Sequence, residues 1–216
     1  MVYIMRPVEQ RRMRLLEVAR QQGGFFAAYQ AAAIGYDNAN QFLFVRDGRW
    51  ERVRRGVFRL ASEPRGEFDD LYALSLFFRH RDGTPSGVFG LETAAAVHGL
   101  GDYMLRRIVV LVRPRFRKNA QIPDEVELNT TSDLETQCDD VSGLRVTSPL
   151  RTVADLLMAP QRDREEIRRA FAAGRRQGLI SPDQVRGAKD WAPSDVTLTI
   201  RSWETGLKAK VTRGRR

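Results

Sequence analysis

The sequence predicts a mixed α+β protein with two parts of unequal size. Some segments carry apolar residues at helical spacing, while others are short apolar runs of strand length, such as Arg107–Val112. The first sixty residues are arranged as helix, helix, helix and two-stranded hairpin, which is the element order of a winged helix-turn-helix. We therefore expect a winged helix-turn-helix domain over residues 1–62 and a larger mixed α/β domain over residues 67–216.

Glycines and polar caps divide the N-terminal part into short elements. Helices are predicted at 8–22, 27–33 and 38–47, with Asp37 as the N-cap of the third. The pair Phe25-Phe26 is too short for more than a single β-bridge. Strands at 50–54 and 57–60 flank a turn at Arg55-Gly56, which predicts the hairpin. In the third helix, we expect Phe42, Phe44 and Val45 to anchor the helix to its own core.

The remainder of the chain alternates helices with strands after a linker at 61–66. Strands are predicted at 88–89, 107–112, 126–129 and 144–146, and helices at 68–80, 91–97, 149–158, 162–176 and 181–189. Ser148 and Ser181 are expected N-caps, and Arg151 can pair with Asp155 one turn later. His98, at a helix end, can meet the last carbonyls of that helix. Beyond about Trp203 the tail is expected to be mobile, or ordered only on a partner.

The charge is unevenly distributed along the chain. Residues 1–60 carry eleven Lys/Arg against five Asp/Glu, a net charge of +6. Residues 61–158 carry eleven against fifteen, or −4, and residues 159–216 carry fourteen against seven, or +7. Because a basic excess attracts phosphate, nucleic acid is the first partner to consider. Arginine-rich surfaces are also common without such a partner, so charge alone leaves the question open.

The third helix and the hairpin supply the side chains that a DNA-binding surface needs. Asn38, Asn40 and Gln41 lie near the start of the helix, where a recognition helix meets base edges, and Asn and Gln suit adenine. The hairpin region adds arginines, including Arg59, that can contact phosphate. Each residue taken singly also fits an ordinary solvated surface. The predicted DNA-binding residues are Asn38, Asn40, Gln41, Arg46, Arg49, Arg52, Arg54 and Arg55.

Three stretches resemble one protein family. They are GGFFAAYQAAAIGYDNANQFLFVRDGRWERVRRGVFRL from Gly23, GLETAAAVHGL from Gly90, and VTSPLRTVADLL from Val146. In this order they are similar to AbiEi-type antitoxins of type IV toxin–antitoxin operons, over about residues 10–160. Phe58 stands where tyrosine is common in that family, which leaves the fold untouched and could remove one hydroxyl contact.

The resemblance implies an antitoxin that also represses its own operon. Its implied partners are double-stranded operator DNA and a co-encoded nucleotidyltransferase-like toxin. We expect two copies to bind repeated half-sites, with self-association on the DNA. The C-terminal part would counteract the toxin. On its basic helix, Arg164, Arg168 and Arg175 lie in a row beside Arg169 and Arg176, so that a single charged face is available, although a merely solvated face is equally consistent.

Several other functions remain as alternatives. No serine elbow, P-loop or dinucleotide fingerprint is present, so we expect no enzyme, no catalytic residue and no cofactor. Two histidines and Cys138 show no ligand spacing, which predicts no metal, although a carboxylate-only magnesium site stays open. A nuclease would need Glu-x-Lys after its aspartate, and none follows Asp155. A transcription regulator without a toxin, and an interaction module for an acidic partner, also fit.

The expected location is the cytoplasm. A single cysteine excludes an intramolecular disulfide, which suits a reducing compartment. No run of 18 apolar residues is present, and the basic start lacks the order of a secretory signal. We therefore expect no membrane association.

Overall fold

A computed structural model describes residues 6–80 and 82–213, with the side chains of helical residues described as far as Leu207. The protein is mixed α+β, as the sequence predicts. Its contacts divide the chain into two compact units. The first comprises the described residues up to Gly87 together with Ser142–Arg145, and the second comprises Val88–Val141 and the described residues from Val146 onward. The predicted boundary between residues 62 and 67 lies inside the first unit.

The first unit consists of helices around a small antiparallel sheet. Its elements are α1 (Pro7–Arg20), β1 (Phe25–Ala27), α2 (Ala28–Ile34), α3 (Asn38–Arg46), β2 (Trp50–Arg54), β3 (Val57–Leu60) and α4 (Asp69–Phe77). The sheet has the order β1-β3-β2, with both neighbours antiparallel. The expectation of a single bridge at Phe25-Phe26 is wrong, because all three residues of β1 pair with β3, thirty or more positions away in sequence.

Both faces of this sheet are buried. Phe26 and Phe58 pack with Trp50 and with residues of α1 and α2 on one side. Phe25 and Val57, each next to one of these phenylalanines in the chain, face the other side, where they pack with Ala73 and Leu76 of α4. Because side chains alternate across a strand, the short run FFA contributes to two separate clusters. The helix α4 therefore completes the first unit.

The second unit contains most of a five-stranded sheet, five α-helices and the 3-10 helix Ala188–Asp190 among the residues described. Gly87 and Leu144–Arg145, at the ends of two strands of this sheet, belong to the first unit. Its elements are β4 (Gly87–Phe89), α5 (Leu91–Val97), β5 (Ile108–Val112), β6 (Val126–Thr130), β7 (Cys138–Val141), β8 (Leu144–Thr147), α6 (Pro149–Met158), α7 (Arg164–Arg176), α8 (Pro182–Gly187) and α9 (Ser194–Arg213). The strand order is β6-β5-β4-β8-β7. The pairs β4–β8 and β5–β6 are parallel.

Two elements of this unit differ from expectation. No strand was predicted at β7, whose sequence CDDV is too polar to show a strand pattern. The tail beyond about Trp203 was expected to be mobile, or ordered only on a partner, whereas α9 continues to Arg213. Contacts within the chain explain its order, because the buried Glu204 pairs with Arg175 on α7 and Leu207 packs against the apolar core of the unit. The last part of the predicted tail, residues 214–216, lies outside the described residues.

The predicted caps and pairs have mixed outcomes. Ser181 accepts a hydrogen bond from the Gln184 backbone as a cap, and Arg151 Nε lies 3.4 Å from Asp155 Oδ2. Ser148 holds the N-cap position of α6, but its side chain makes no capping hydrogen bond. His98 is also placed differently. Its Nε2 lies 2.8 Å from the carbonyl oxygen of Thr147 rather than bonding its own helix.

Within the described part of the chain, no helix is both long and apolar enough to cross a membrane.

Candidate nucleic-acid interface

The start of α3 is fixed by Asp37. Its carboxylate accepts hydrogen bonds from the Asn40 backbone N–H at 2.8 Å and from the Asn40 side-chain amide at 2.9 Å. The bond from the Asn40 backbone is the main reason that the pKa of Asp37 lies below its usual value. The predicted N-cap is therefore confirmed. The Asn40 amide, a predicted base reader, is already engaged within its own helix.

Gln41 points into the first unit. Only 5% of the residue is exposed, and its Nε2 donates to the carbonyls of Tyr36 at 2.9 Å and Ala28 at 3.2 Å. These bonds tie α3 to the start of α2 and to the turn between the two helices. Because the amide is buried and used, we leave Gln41 out of the candidate surface.

The outer face of α3 carries Asn38, Phe42 and Arg46. These residues are spaced by four positions, so they lie along one side of the helix, and all three are exposed. The expectation that Phe42 anchors the helix is wrong, because 67% of it is exposed. Phe44 is the anchor, with its ring 5.2 Å from that of Tyr36 and 4.9 Å from that of Trp50. Val45 also packs against this core, as expected.

An acidic residue at the end of α3 organises two of the predicted arginines. Asp47 Oδ2 lies 3.0 Å from Arg49 and Oδ1 lies 3.2 Å from Arg46. The hydrogen bonds from Arg49 and then Arg46 hold the pKa of Asp47 below its usual value. The Arg49 guanidinium also stacks 3.7 Å from the centre of the Phe44 ring. Arg49 is thus held against the helix end while most of its side chain remains exposed.

The hairpin presents arginines of two kinds. Arg52 and Arg55 are exposed, and Arg54 is half-buried beside a register shift in β2. Arg59 was expected among the phosphate-binding residues, but only 2% of it is exposed. It lies 3.6 Å from Glu51 and 3.7 Å from Asp69, and donates to the Glu63 carbonyl. Arg59 therefore links the hairpin to α4 instead of facing solvent.

The predicted basic face of α7 is divided. Arg175 is largely buried and paired with Glu204 of α9 at 2.7 Å, while Arg168 pairs with Glu165 and Arg164 donates to Thr199. The expectation of a single charged face is therefore wrong, because the row containing Arg175 turns toward α9. Arg169 and Arg176 remain exposed on the other row.

Arg169 and Arg176 border a cleft of about 750 Å³ in the second unit. The cleft lies between α7 and the loop at 99–103, and apolar residues such as Leu100 and Ala173 form part of its lining. Tyr103 also lines it. The Tyr103 hydroxyl is buried without a hydrogen-bond partner among the described residues, and burial raises the pKa of this phenol.

Among the described residues, no group of three His, Cys, Asp or Glu side chains is arranged to hold a metal ion.

No protein-family model matches the chain, and no curated protein matches it either.

The predicted DNA-binding residues differ in their exposure to solvent. Asn38, Arg46, Arg49, Arg52 and Arg55 are exposed as expected, whereas Gln41 is internal. Sequence reasoning missed the exposure of Phe42. Its spacing from Asn38 and Arg46 was the available signal, because a residue four positions from two polar neighbours shares their face.

Proposed function

We propose that the chain binds double-stranded DNA through a winged helix-turn-helix, with α3 as recognition helix and the β2–β3 hairpin as wing. The observation that carries this proposal is the exposed polar face of α3, followed directly in the chain by a hairpin with exposed arginines. A helix of this size fits the major groove, and exposed arginines can neutralise phosphates. Asn38 is the member of the set best placed for base contact, since Asn40 is engaged with Asp37.

The packing behind α3 supports a preorganised surface. Gln41 donates a hydrogen bond to the backbone before α3, and Phe44 packs among aromatic rings. These inward contacts fix the orientation of the helix and therefore of its outer face. Asp47 and Phe44 hold the Arg49 side chain at the C-terminal end of the helix. A surface fixed in this way loses less side-chain freedom on binding than a flexible one.

We further propose that the protein is an antitoxin and represses its own operon. This rests on the resemblance of three sequence stretches to AbiEi-type antitoxins. The partners would be operator repeats and a nucleotidyltransferase-like toxin, met through the second unit. Arg169 and Arg176, exposed at one cleft, are the residues of α7 best placed for an acidic partner. A regulator without a toxin would use the same DNA surface and lack the second partner.

Selection from a random duplex library tests the DNA-binding proposal. The full-length protein should enrich a defined sequence, and its affinity should fall steeply with salt because bound phosphates release counterions. Arg52→Ala and Arg55→Ala should each flatten the plot of log affinity against log salt by about one unit. Arg113→Ala is the matched control, since Arg113 is an exposed arginine of the second unit.

Two results would contradict this proposal. One is recovery of no common sequence together with affinity that is insensitive to salt. The other is an equal effect of Arg113→Ala and the hairpin substitutions, because the binding charge would then not lie on the first unit.

Co-expression with the neighbouring toxin gene tests the antitoxin proposal. The double variant Arg169→Ala/Arg176→Ala should lose protection while keeping DNA affinity. The double variant Arg52→Ala/Arg55→Ala should keep protection while losing repression. Full-length variants are preferable to fragments, because α4 packs on the sheet of the first unit and a cut at residue 66 would remove it. If Arg169→Ala/Arg176→Ala still protects the cells fully, the toxin is contacted by other residues.

A further inference from the structure

Phe42 is an unusual phenylalanine in this protein. All eleven phenylalanines lie in the described part of the chain, and Phe42 is the only one among the exposed large hydrophobic residues. Its exposed fraction is 67%, whereas Phe44, two positions later, packs into an aromatic cluster. The phenyl ring is absent from the apolar cluster formed by Phe44 and its neighbours. Because Phe42 lies between Asn38 and Arg46 on the outer face of α3, its ring is available to a partner that meets this face.

The surroundings of Phe42 favour nucleic acid as that partner. Asn38 and Arg46 lie one turn before and one turn after it on the same face. Arg46 and Arg49 at the end of α3 outnumber the nearby acid Asp47, with which both are paired. A phenyl ring between an amide and a guanidinium group, on a helix with a net positive end, matches a partner that combines apolar groups with negative charge. The major groove of DNA does so, because it displays thymine methyl groups between phosphate chains.

We propose that Phe42 contacts the C5-methyl group of thymine, beside an adenine read by Asn38. This inference rests on the proposed DNA binding and names the base pair that α3 prefers. Adenine offers N6 and N7 to an asparagine amide, and thymine offers its methyl group to an apolar side chain. Both side chains thus favour A·T pairs. Half-sites should contain A·T pairs at adjacent positions contacted by the first turns of α3.

Replacement of thymine by deoxyuridine isolates the proposed contact. Deoxyuridine keeps the pairing edge and removes only the methyl group. On the duplex recovered by selection, each thymine is replaced in turn, and the Kd is measured for the wild-type protein and for Phe42→Ala. Wild-type affinity should fall about fourfold at one or two positions, the loss expected for one buried methyl group. Phe42→Ala should show no loss at those positions.

Leu198→Ala provides the matched control, since Leu198 has the same exposed fraction, 67%, on α9. It should respond to deoxyuridine as the wild type does. Circular dichroism of Phe42→Ala checks folding, and a change is not expected because the side chain is exposed. If every thymine can be replaced without loss of wild-type affinity, or if Phe42→Ala keeps the full response, the methyl contact does not exist. Either result leaves salt-dependent, sequence-selective binding intact, so failure of this inference differs from failure of the proposed function.

Discussion

The side-chain amide of Gln41 donates a hydrogen bond to the backbone carbonyl of Tyr36, over a distance of 2.9 Å. The same nitrogen also reaches the carbonyl of Ala28. A residue type suited to reading adenine is thus used to join the α2 region to α3. Its neighbour Asn38, three positions earlier, remains on the exposed side of the helix.

Gln41→Ala should therefore lower stability. The change leaves two backbone carbonyls without their side-chain donor, which costs about 1–3 kcal/mol in the free energy of unfolding. Urea denaturation followed by circular dichroism measures this. Asn38→Ala is the matched control, and as an exposed substitution it should change stability by less than about 0.5 kcal/mol. Equal stability of the two variants would contradict the internal role of Gln41.

Local sequence signals predicted much of this fold. Asp37, Ser181 and the glycine turn of the hairpin act through neighbours within four residues, so the sequence around them contains the information. The pair Arg151–Asp155 is likewise set by helical spacing. The helix α6 therefore agrees with its predicted bounds, Pro149–Met158.

The features that sequence reasoning missed depend on distant contacts. The strand β1 exists because it pairs with β3, and α9 is ordered because Ile200 and Trp203 pack in the core of the second unit. The same applies to the candidate surface. Whether Gln41 or Phe42 faces inward depends on the rotation of α3 against α2, which a nine-residue helix with no strong apolar stripe does not reveal.

The stability of the protein should depend on pH through Asp155. Burial raises the pKa of this carboxyl from 3.8 to about 6, although Arg151 opposes the shift. A raised folded-state pKa means that the folded protein keeps a proton that the unfolded chain has lost. The free energy of unfolding should therefore decrease as the pH rises from about 4 to about 6, by at most about 1.4 kcal/mol per pH unit from this group.

Asp155→Asn isolates that contribution, because asparagine keeps the shape and cannot ionise. As the pH rises from about 4 to about 6, the wild type should lose stability relative to Asp155→Asn. Above about pH 6, the difference between their free energies of unfolding should stay constant. A wild-type curve that instead gains stability relative to Asp155→Asn as the pH rises would mean that the Arg151 pairing outweighs burial.

Tyr103→Phe should stabilise the second unit. The phenol oxygen is buried and has no hydrogen-bond partner among the described residues. Removal of an unsatisfied buried hydroxyl recovers its desolvation cost, which is about 1–3 kcal/mol, while the ring continues to pack. Thermal and urea denaturation of the full chain measure the change. Tyr72→Phe is the opposite control, because the Tyr72 hydroxyl donates to the Ser142 carbonyl at 2.9 Å, and its loss should lower stability. A loss of stability in Tyr103→Phe would indicate a partner for its hydroxyl.

The pair Arg175–Glu204 should fasten α9 to α7. Arg175 Nε lies 2.7 Å from Glu204 Oε2, only 8% of the Glu204 side chain is exposed, and Arg175 also donates to the Ile180 carbonyl. Arg175→Met removes the guanidinium that pairs with the buried Glu204 carboxylate, so we expect a loss of about 3–5 kcal/mol in the free energy of unfolding. Adding Glu204→Leu removes the buried negative charge as well, and the double variant should recover most of that loss. Arg168→Met is the matched control, because the exposed pair Arg168–Glu165 should contribute about 0–1 kcal/mol.

Limited proteolysis should release the C-terminal helix earlier in Arg175→Met than in the wild type or the double variant. If Arg175→Met is no less stable than Arg168→Met, the ion pair does not hold α9 in place.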